Sequence, residues 1–421
     1  MDFEAVETAA RRRALYVAAR AVERRLNEDE SDQSGPTKRC PDCGGIARYA
    51  GRAEKTFTTV LGEMRLWRAY YYCSGCKKGF YPRDLALGLN DTSLSPGVTR
   101  MTGRTAAMVS FQESSELLSE LAGVKVEAKQ VERTAEGLGA EIAEDEKSVV
   151  EPEAPLAPTM YMGLDGSGIP MRTSELVGVE GKQADGSAKT KEVKLVTVWT
   201  AEEHDDDGIA VRDEGSVSYS GAIETAASRD TDDTPSAFAQ RVLREARRRG
   251  FDKAARQVIV ADGAKWIWNI ADEHFPDAIQ VLDLFHAKGH ICDAAKAIYG
   301  AGSELGEQWA KERHNELEQG NIEAVLEALR VHANANQEAR KCFDYLKSNR
   351  HRMSYPAFRA MGLCISSGVL EAGCKVAVGT RLKRAGMHWT VHGANNIIAL
   401  RCSILSGRFE DFWERRSQAR L

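Results

Sequence analysis

Two Cys-x-x-Cys pairs, Cys40 with Cys43 and Cys73 with Cys76, constrain the fold of this chain more than any other feature. Each pair fits on a tight turn whose two thiolates point the same way, and two such turns supply the four soft ligands of a closed tetrahedral zinc site. Apolar residues alternate with polar ones between the pairs, as in a β-hairpin. The pattern predicts a zinc ribbon over residues 36–85 with a structural Zn²⁺; the alternative is incidental or redox-active cysteines.

The chain has 421 residues, of which 43% are hydrophobic, enough to bury the cores of two or three domains. Its N-terminal segment is charged throughout and no run of 18 apolar residues occurs, which predicts a soluble, cytoplasmic protein. The net charge of -5 is unevenly distributed, because basic residues dominate 36–110 and 375–421 whereas acidic residues dominate 201–235. The two basic segments allow DNA as a partner. The acidic stretch 202–233 is expected to be a solvated loop.

The apolar pattern also divides the N-terminal part of the chain. Residues 1–35 are predicted as a charged helix with a polar linker, and 100–150 as a region with two short helices joined through a glycine. Such a pair of helices is typical of a helix-turn-helix, whose second helix is expected to present Lys129, Gln130 and Arg133 to DNA. The alternative is an ordinary helical hairpin with a solvated polar face.

Residues 158–286 contain three successive strands followed by alternating strands and helices, which predicts an α/β domain with a mixed sheet. The first strand is expected to end at Asp165, a later one at Asp262 and another near Asp283. Acidic residues at strand ends are commonly turn residues, which is the ordinary alternative to a functional role.

The remainder of the chain is predicted to be helical. Residues 287–360 form an all-α insertion, and 361–421 contain Glu371 at the start of a helix, followed by a basic loop and further helices. A run of charges is usually a solvated surface, but this loop follows a candidate catalytic residue. Three of its basic residues are therefore expected to contact DNA phosphates: Arg381, Lys383 and Arg384.

Phosphodiester chemistry on DNA requires an activated attacking oxygen and a stabilised leaving oxygen, and two Mg²⁺ ions about 4 Å apart can provide both. Hard cations prefer oxygen ligands, and three carboxylates suffice when phosphate oxygens and waters complete the coordination shells. Asp165, Asp262 and Glu371 are placed so that they could converge on such ions, provided that the helical insertion lies outside the sheet.

Four sequence blocks resemble those of one known family: LDGSGIP, VIVADGAKWIWN, LDLFHAKGH and VLEAGCKVAVGTRLKRAGMHW. They are similar to insertion-sequence transposases of the ISKra type, a group of DDE transposases with a ribonuclease-H-like catalytic domain. The resemblance extends over about residues 158–405, and the second and fourth blocks are long and unusual enough to be specific.

The resemblance implies an α+β and α/β multidomain protein. A ribonuclease-H-like mixed-sheet catalytic domain with an all-α insertion would follow a zinc ribbon and a helix-turn-helix. It implies a catalytic triad of Asp165, Asp262 and Glu371 that holds two Mg²⁺ or Mn²⁺ ions, and metal-dependent cleavage and strand transfer of double-stranded transposon ends into a target. A homo-oligomer on DNA, associated with the nucleoid, is expected from the same activity.

Asp283 and His286 form a D-x-x-H pair that resembles a motif between the second aspartate and the glutamate of related transposases. A histidine there could orient a carboxylate or a DNA phosphate, or it could simply pack at a strand-to-helix junction. Two other functions stay open on the residues alone. One is a metal-dependent nuclease with the same core but no strand transfer, and the other is a noncatalytic DNA-binding protein.

Overall fold

The computed structural model describes residues 2–147, 157–181, 183, 186, 188–204, 210–226, 235–365 and 368–418, with the backbone alone at 370 and 371. The chain divides into two compact units, Met1–Leu138 with Arg408–Leu421, and Gly139–Gly407. Within the described ranges, every helix is too short or too polar to span a lipid bilayer.

The first unit contains a long N-terminal helix, a four-stranded antiparallel sheet and a set of shorter helices. Its elements in chain order are α1 (Phe3–Glu28), β1 (Thr37–Arg39), β2 (Ile46–Thr59), β3 (Gly62–Cys73), β4 (Lys78–Phe80), α2 (Pro82–Leu87), α3 (Pro96–Met108), α4 (Phe111–Leu117), a π-helical turn (Leu118–Ala122) and α5 (Ala128–Asp145), whose last residues belong to the second unit.

The sheet order is β1-β2-β3-β4, and β4 pairs only with the last residues of β3. Along the rest of β3, the edge that faces away from β2 is covered by side chains from α1 and from the loop after α1. They accept hydrogen bonds from alternate backbone N–H groups: Glu23 from Arg65 (2.6 Å), Asn27 from Trp67 (2.9 Å) and Asp32 from Ala69 (2.8 Å). These contacts satisfy an edge that would otherwise be free to pair with another chain.

The second unit contains a five-stranded sheet, a small two-stranded ribbon and ten helices within the described residues. Its elements are β5 (Thr159–Pro170), β6 (Thr190–Trp199), β7 (Glu203–His204), β8 (Ala210–Val211), β9 (Ser218–Ala222), α6 (Ala237–Arg249), β10 (Arg256–Ala261), α7 (Lys265–His274), β11 (Ile279–Leu282), α8 (Leu284–Tyr299), α9 (Glu304–Glu318), α10 (Ile322–Ala333), α11 (Gln337–Asn349), α12 (Tyr355–Ala360), α13 (Gly368–Gly373), a π-helical segment (Cys374–Gly379), α14 (Thr380–Leu382) and α15 (Val391–Leu405). The last helix, α16 (Phe409–Gln418), belongs to the first unit.

The five-stranded sheet has the order β11-β10-β5-β6-β9. Strands β5, β6 and β9 form an antiparallel meander, and β10 and β11 add to the other side of β5 as parallel strands. The predicted mixed sheet of an α/β domain is therefore confirmed. Parallel strands need a covering layer on both faces, which accounts for the buried apolar run Val258–Ala261 of β10 and the buried Val281 and Leu282 of β11.

One strand differs from the prediction. Strand β5 does not end at Asp165 but continues to Pro170, because β6 pairs with it along its whole length and places Leu195 opposite Asp165. The side chains are buried up to Leu164, whereas only Ile169 is buried between Asp165 and Pro170, so the apolar run in the sequence marks only the first half of the strand.

The helical region α8–α12 does not form a separate body. Buried residues of these helices, such as Leu317, Leu329 and Leu346, belong to the same hydrophobic core as Val260 and Leu282 of the sheet. The acidic stretch 202–233 lies partly outside the described residues, at 205–209 and 227–234. Its described part includes the buried strand β9, so it is not a loop throughout.

Candidate functional site

Three aspartates lie side by side at the carboxyl ends of the parallel strands. Ala261 of β10 pairs with Leu164 of β5 on one side and with Leu282 of β11 on the other. The residue that follows each of these three is an aspartate: Asp165, Asp262 and Asp283. Because neighbouring strands lie about 4.8 Å apart, this register brings three carboxylates from distant parts of the sequence to one edge of the sheet. The carboxyl ends of the strands are where open α/β sheets usually bind ligands.

These aspartates line a cleft of about 600 Å³ together with residues from the first turns of α8. The polar groups of the cleft are the three aspartates, His286, His290 and Asp293. Phe285 also lines it and is 63% exposed, which is unusual for an aromatic side chain in an acidic cleft. The cleft is large enough for a nucleotide and its phosphates, and its charge favours bound cations.

Backbone hydrogen bonds fix the orientation of each carboxylate. Asp262 accepts from the N–H of Ala264 (2.8 Å), and Asp283 accepts from the N–H of Phe285 (2.7 Å) as the N-cap of α8. The turn after Asp262 is held by Tyr345 of α11, since a Cβ atom added at Gly263 would lie 2.1 Å from the tyrosine ring. The glycine is therefore required by the close approach of this ring.

The pKa of Asp165 is shifted by its surroundings in the cleft. Burial raises the pKa of this carboxyl above its ordinary value, and the neighbouring Asp262 adds to the shift. Hydrogen bonds from the thiol of Cys374 and from the backbone of Gly166 lower the pKa of Asp165 only in part. A carboxylate destabilised by its surroundings gains most from a bound cation, so this residue is a candidate metal ligand on physical grounds.

His286 is oriented by Asp283, with 2.9 Å between Nδ1 of the imidazole and a carboxylate oxygen. This hydrogen bond raises the pKa of His286, and the charges of Asp262 and Asp165 act in the same direction while burial opposes them. The side chain is half-exposed in the cleft, so it does not have the environment of a core packing residue. The D-x-x-H pair therefore forms a structural unit at the candidate site.

Glu371 lies in α13, which begins at Gly368 and not at Glu371 as predicted. Its side chain lies outside the described residues, and the convergence of all three predicted carboxylates is left as a prediction. The backbone position is still informative. Helix α13 continues directly into the π-helical segment Cys374–Gly379, and the thiol of Cys374 contacts the carboxylate of Asp165.

Two places in the described residues carry side chains suited to a metal ion, the cysteine cluster and the acidic cleft. Among the described residues, only Cys40, Cys43, Cys73 and Cys76 bring three or more ligand atoms within 4.8 Å of one another. The acidic cleft supplies Asp165 and Asp262 as neighbouring oxygen ligands, and water and phosphate oxygens complete most coordination shells of Mg²⁺ in such sites. The donor atoms present are therefore of the type that Mg²⁺ or Mn²⁺ prefers.

The four cysteines could hold a zinc ion. The Sγ atoms of Cys40 and Cys76 are 3.6 Å apart, as are those of Cys43 and Cys73. Zinc–sulfur bonds of about 2.3 Å in a tetrahedron place sulfur atoms about 3.8 Å apart, so the cluster has nearly the required size. A hydrogen bond from the backbone of Cys76 lowers the pKa of Cys73 to about 7, whereas burial raises the pKa of Cys76. The geometry of the four sulfur atoms is therefore the observation that favours zinc.

The predicted contacts of the helix-turn-helix region are only partly accessible. Lys129 and Arg133 are exposed on α5, although Lys129 forms an ion pair with Glu132 (2.6 Å). Gln130 does not point outward as predicted, because its side chain is half-buried and donates a hydrogen bond to Ser93 (3.0 Å). The helical period alone could not indicate that the loop before α3 packs against this position.

The three basic residues that were predicted to contact DNA phosphates differ in their exposure to solvent. Arg381 is fully buried and its guanidinium lies over the ring of Trp389, 5.3 Å from the centroid, so the prediction of a DNA contact is wrong for this residue. Lys383 is exposed and donates a hydrogen bond to Ser167 of β5 (2.6 Å), two residues after Asp165. Arg384 is half-buried. Lys383 is therefore the best-placed cation beside the candidate site.

The sequence prediction missed two residues that support the site, Cys374 and Tyr345. Cys374 lies within one of the conspicuous sequence blocks, but a lone cysteine there gave no indication that its thiol contacts Asp165. Tyr345 gave no local signal, since its contact with Gly263 joins residues that are far apart in the chain. Compared with known proteins, the chain matches no family model and no curated protein sequence.

Proposed function

We propose that this chain is a DNA transposase of an insertion sequence, whose acidic cleft cuts and joins DNA with the help of divalent cations. The observation that carries the proposal is the pair Asp165 and Asp262, held in register on adjacent parallel strands at the edge of a cleft. The raised pKa of Asp165 supports it, because burial, and to a smaller extent the charge of Asp262, destabilise the ionised carboxylate that a bound cation would stabilise.

The architecture supports a ribonuclease-H-like reading of the second unit. In that fold an antiparallel three-stranded meander is extended by two parallel strands beside its first strand. The order β11-β10-β5-β6-β9 has this arrangement, with β6 as the one strand that runs against the others. We assign the helical region α8–α12 to the insertion that precedes the glutamate-bearing helix in the proposed family.

Asp165, Asp262 and Glu371 are the residues that would hold two Mg²⁺ or Mn²⁺ ions. Such ions activate an attacking oxygen and stabilise the leaving oxygen in phosphodiester exchange. In the chain itself, Asp283 holds Nδ1 of His286 and leaves Nε2 to meet a phosphate oxygen in the cleft. The raised pKa of His286 favours its protonated form, which suits contact with an anionic phosphate. Lys383 would contact the backbone of the same DNA.

The first unit would recognise DNA ends through strands β1–β4 with their four cysteines, here called the cysteine module, with zinc as a structural ion, and through Lys129 and Arg133 of α5. Pairing of two transposon ends requires at least two copies of the protein, so a homo-oligomer on DNA belongs to the proposal, as does a cytoplasmic, nucleoid-associated location. These modules provide affinity and register, while the acidic cleft provides the chemistry.

Calorimetry with Mn²⁺ on zinc-loaded protein and a short DNA duplex tests the metal site. We expect binding by wild type, loss of binding in Asp262→Ala, and unchanged binding in Asp277→Asn, an exposed aspartate outside the cleft. Equal Mn²⁺ binding by wild type and Asp262→Ala would sink the assignment.

A cleavage and joining assay on DNA that carries the element ends tests the reaction. Asp165→Asn is expected to abolish both cleavage and joining, because it removes a charged metal ligand without changing the size of the side chain. Cleavage without joining by wild type would point to a nuclease with the same core, and full cleavage by Asp165→Asn would exclude the mechanism.

A further inference from the structure

One face of the cysteine module carries an exposed aromatic and an exposed aliphatic side chain next to exposed arginines. Arg39 pairs with Ile46 across β1 and β2, and Arg48 pairs with Tyr72 across β2 and β3. Directly paired residues share a face of the sheet, and so do positions two apart on one strand. These four residues, here called the knuckle face, therefore project from the same side of the module.

The apolar part of the knuckle face is open to solvent. Ile46 is 69% exposed and Tyr72 is 42% exposed, although both are confined by regular strand pairing. The neighbouring part of the same sheet is protected, since Phe57 and Leu66 are buried in a small core with Leu89. An aromatic ring that is held rigidly but left uncovered is suited to receive a flat ligand at low cost in conformational entropy.

The cations of this surface are also available. No ion pair of Arg39, Arg48 or Lys77 occurs among the described residues, whereas nearby Lys78 is bound to Asp42 at 3.2 Å. Arg39 and Arg48 are exposed and flank the tyrosine and isoleucine. The surface thus combines a flat apolar centre with positive charge at its sides, which is complementary to a nucleobase and its flanking phosphates.

The geometry favours a single strand over a duplex. In double-stranded DNA the faces of the bases are stacked on one another and only their edges reach the grooves. A rigid tyrosine on a β-sheet can therefore stack only on an unpaired base, with arginines beside it for the backbone. An acidic peptide would use the arginines but would leave the exposed ring and Ile46 without a partner.

We propose that the knuckle face binds single-stranded DNA, with an unpaired base stacked on Tyr72 and phosphates held by Arg39 and Arg48. The inference deepens the proposed function, because DNA cutting and joining exposes unpaired ends, and it rests on that function for its biological role. The binding itself needs no divalent cation and is independent of the acidic cleft.

Fluorescence anisotropy with a labelled 12-residue oligo(dT) tests this on the full zinc-loaded chain in buffer without Mg²⁺. Tyr72→Ala is expected to weaken binding about tenfold, the loss typical of one stacked base, and Tyr72→Trp is expected to restore it. Trp67→Ala is the matched control. Trp67 is 48% exposed on the opposite face of the same strand, and its cross-strand partner is the acidic Glu54. Zinc content and circular dichroism establish that each variant is folded.

Salt dependence provides a second readout that a purely structural role would not change. Arg48→Ala should lower the slope of log affinity against log salt by about 0.7, the value for one phosphate contact on a single strand. Equal losses in Tyr72→Ala and Trp67→Ala, or no loss in either, would overturn the proposal. A loss in Tyr72→Ala that is larger for oligo(rU) or for a blunt duplex than for oligo(dT) would overturn the choice of single-stranded DNA. Asp262→Ala should bind oligo(dT) normally, so failure of the metal site and failure of the knuckle face can be told apart.

Discussion

In buffer without divalent cations, the variant Asp165→Asn should be more stable than wild type. In buffer with Mg²⁺, it should be less stable than wild type. Asp165 and Asp262 occupy neighbouring strand positions, about 5 Å apart by strand spacing. Burial of the ionised carboxylate is the largest unfavourable contribution that the substitution removes. Repulsion from Asp262 adds to it, and two negative charges at about that distance repel by up to about 3 kcal/mol at an effective dielectric constant of about 20. Asparagine keeps the size of the side chain and an acceptor for the N–H of Gly166, but removes the charge.

The net gain is smaller than the repulsion, because the thiol of Cys374 loses a charged acceptor that is worth about 1.5–3 kcal/mol. We expect Asp165→Asn to gain about 1 kcal/mol in Mg²⁺-free buffer, a rise in Tm of about 2–4 °C for a unit of this size. With Mg²⁺ at about 100 times its Kd, wild type should gain about 2.7 kcal/mol that the variant lacks. The order of the two melting temperatures should therefore reverse.

Calorimetric scans of zinc-loaded protein with and without Mg²⁺ measure this reversal, and chelators are avoided because they would remove zinc. The pH dependence is a second check. The pKa of Asp165 lies above its ordinary value of 3.8 in the folded protein, so the folded state binds this proton more tightly than the unfolded state. The resulting stability is present below about pH 3.8 and is lost as pH rises through the folded pKa. Because asparagine has no titratable carboxyl group, the stability of Asp165→Asn should not fall in this way as the pH rises. A lower Tm than wild type in Mg²⁺-free buffer would refute the reasoning.

Three further predictions concern the supporting structure. Gly263→Ala forces a methyl group against the ring of Tyr345, and we expect a loss of about 1–3 kcal/mol in the free energy of unfolding, measured by urea denaturation. Arg381→Ala should lower the Tm, because the side chain is fully buried, whereas Lys383→Ala should leave the Tm unchanged and weaken duplex binding in an anisotropy titration. Chelation of zinc should unfold the cysteine module, observed as a loss of circular dichroism and of protease resistance, because four thiols at its core lose their common ligand.

Controls for these predictions are available in the same chain. Gly137 lies within α5 with open space around it, so Gly137→Ala should be neutral or stabilising by up to about 1 kcal/mol. A destabilisation equal to that of Gly263→Ala would show that the ring contact is not the cause. Zinc added back after chelation should restore the circular dichroism, and a module that stays folded without zinc would contradict a structural role for the metal.

Local patterns in the sequence were sufficient for part of this description. The two Cys-x-x-Cys pairs predicted the four-thiol cluster, because two thiols with two residues between them on a tight turn lie close together. Three strands followed by strand-helix alternation predicted the mixed sheet, because strand pairing follows from chain connectivity in such patterns. Asp262 and Asp283 were recognisable because each directly follows a short apolar strand.

Predictions that depended on side-chain exposure were less successful. Arg381 and Gln130 both belong to polar stretches, yet Arg381 is buried beneath Trp389 and Gln130 is bound to Ser93. A basic or amide residue can extend its polar end to a partner inside the fold, and the sequence does not contain the position of that partner. The strand through Asp165 was predicted too short for a related reason, because its second half lacks a continuous apolar run and its extent is set by pairing with β6.

What the sequence determined by itself is therefore the set of ligand types and the local elements that carry them, because thiol spacing and apolar periodicity are properties of neighbouring residues. Only the tertiary structure decided which of these residues meet. The register of β5, β10 and β11 aligns three aspartates that are distant in the chain, and the packing of α11 places Tyr345 against Gly263. Such convergence depends on long-range packing. The distance between two residues along the chain does not show whether they meet in the folded protein.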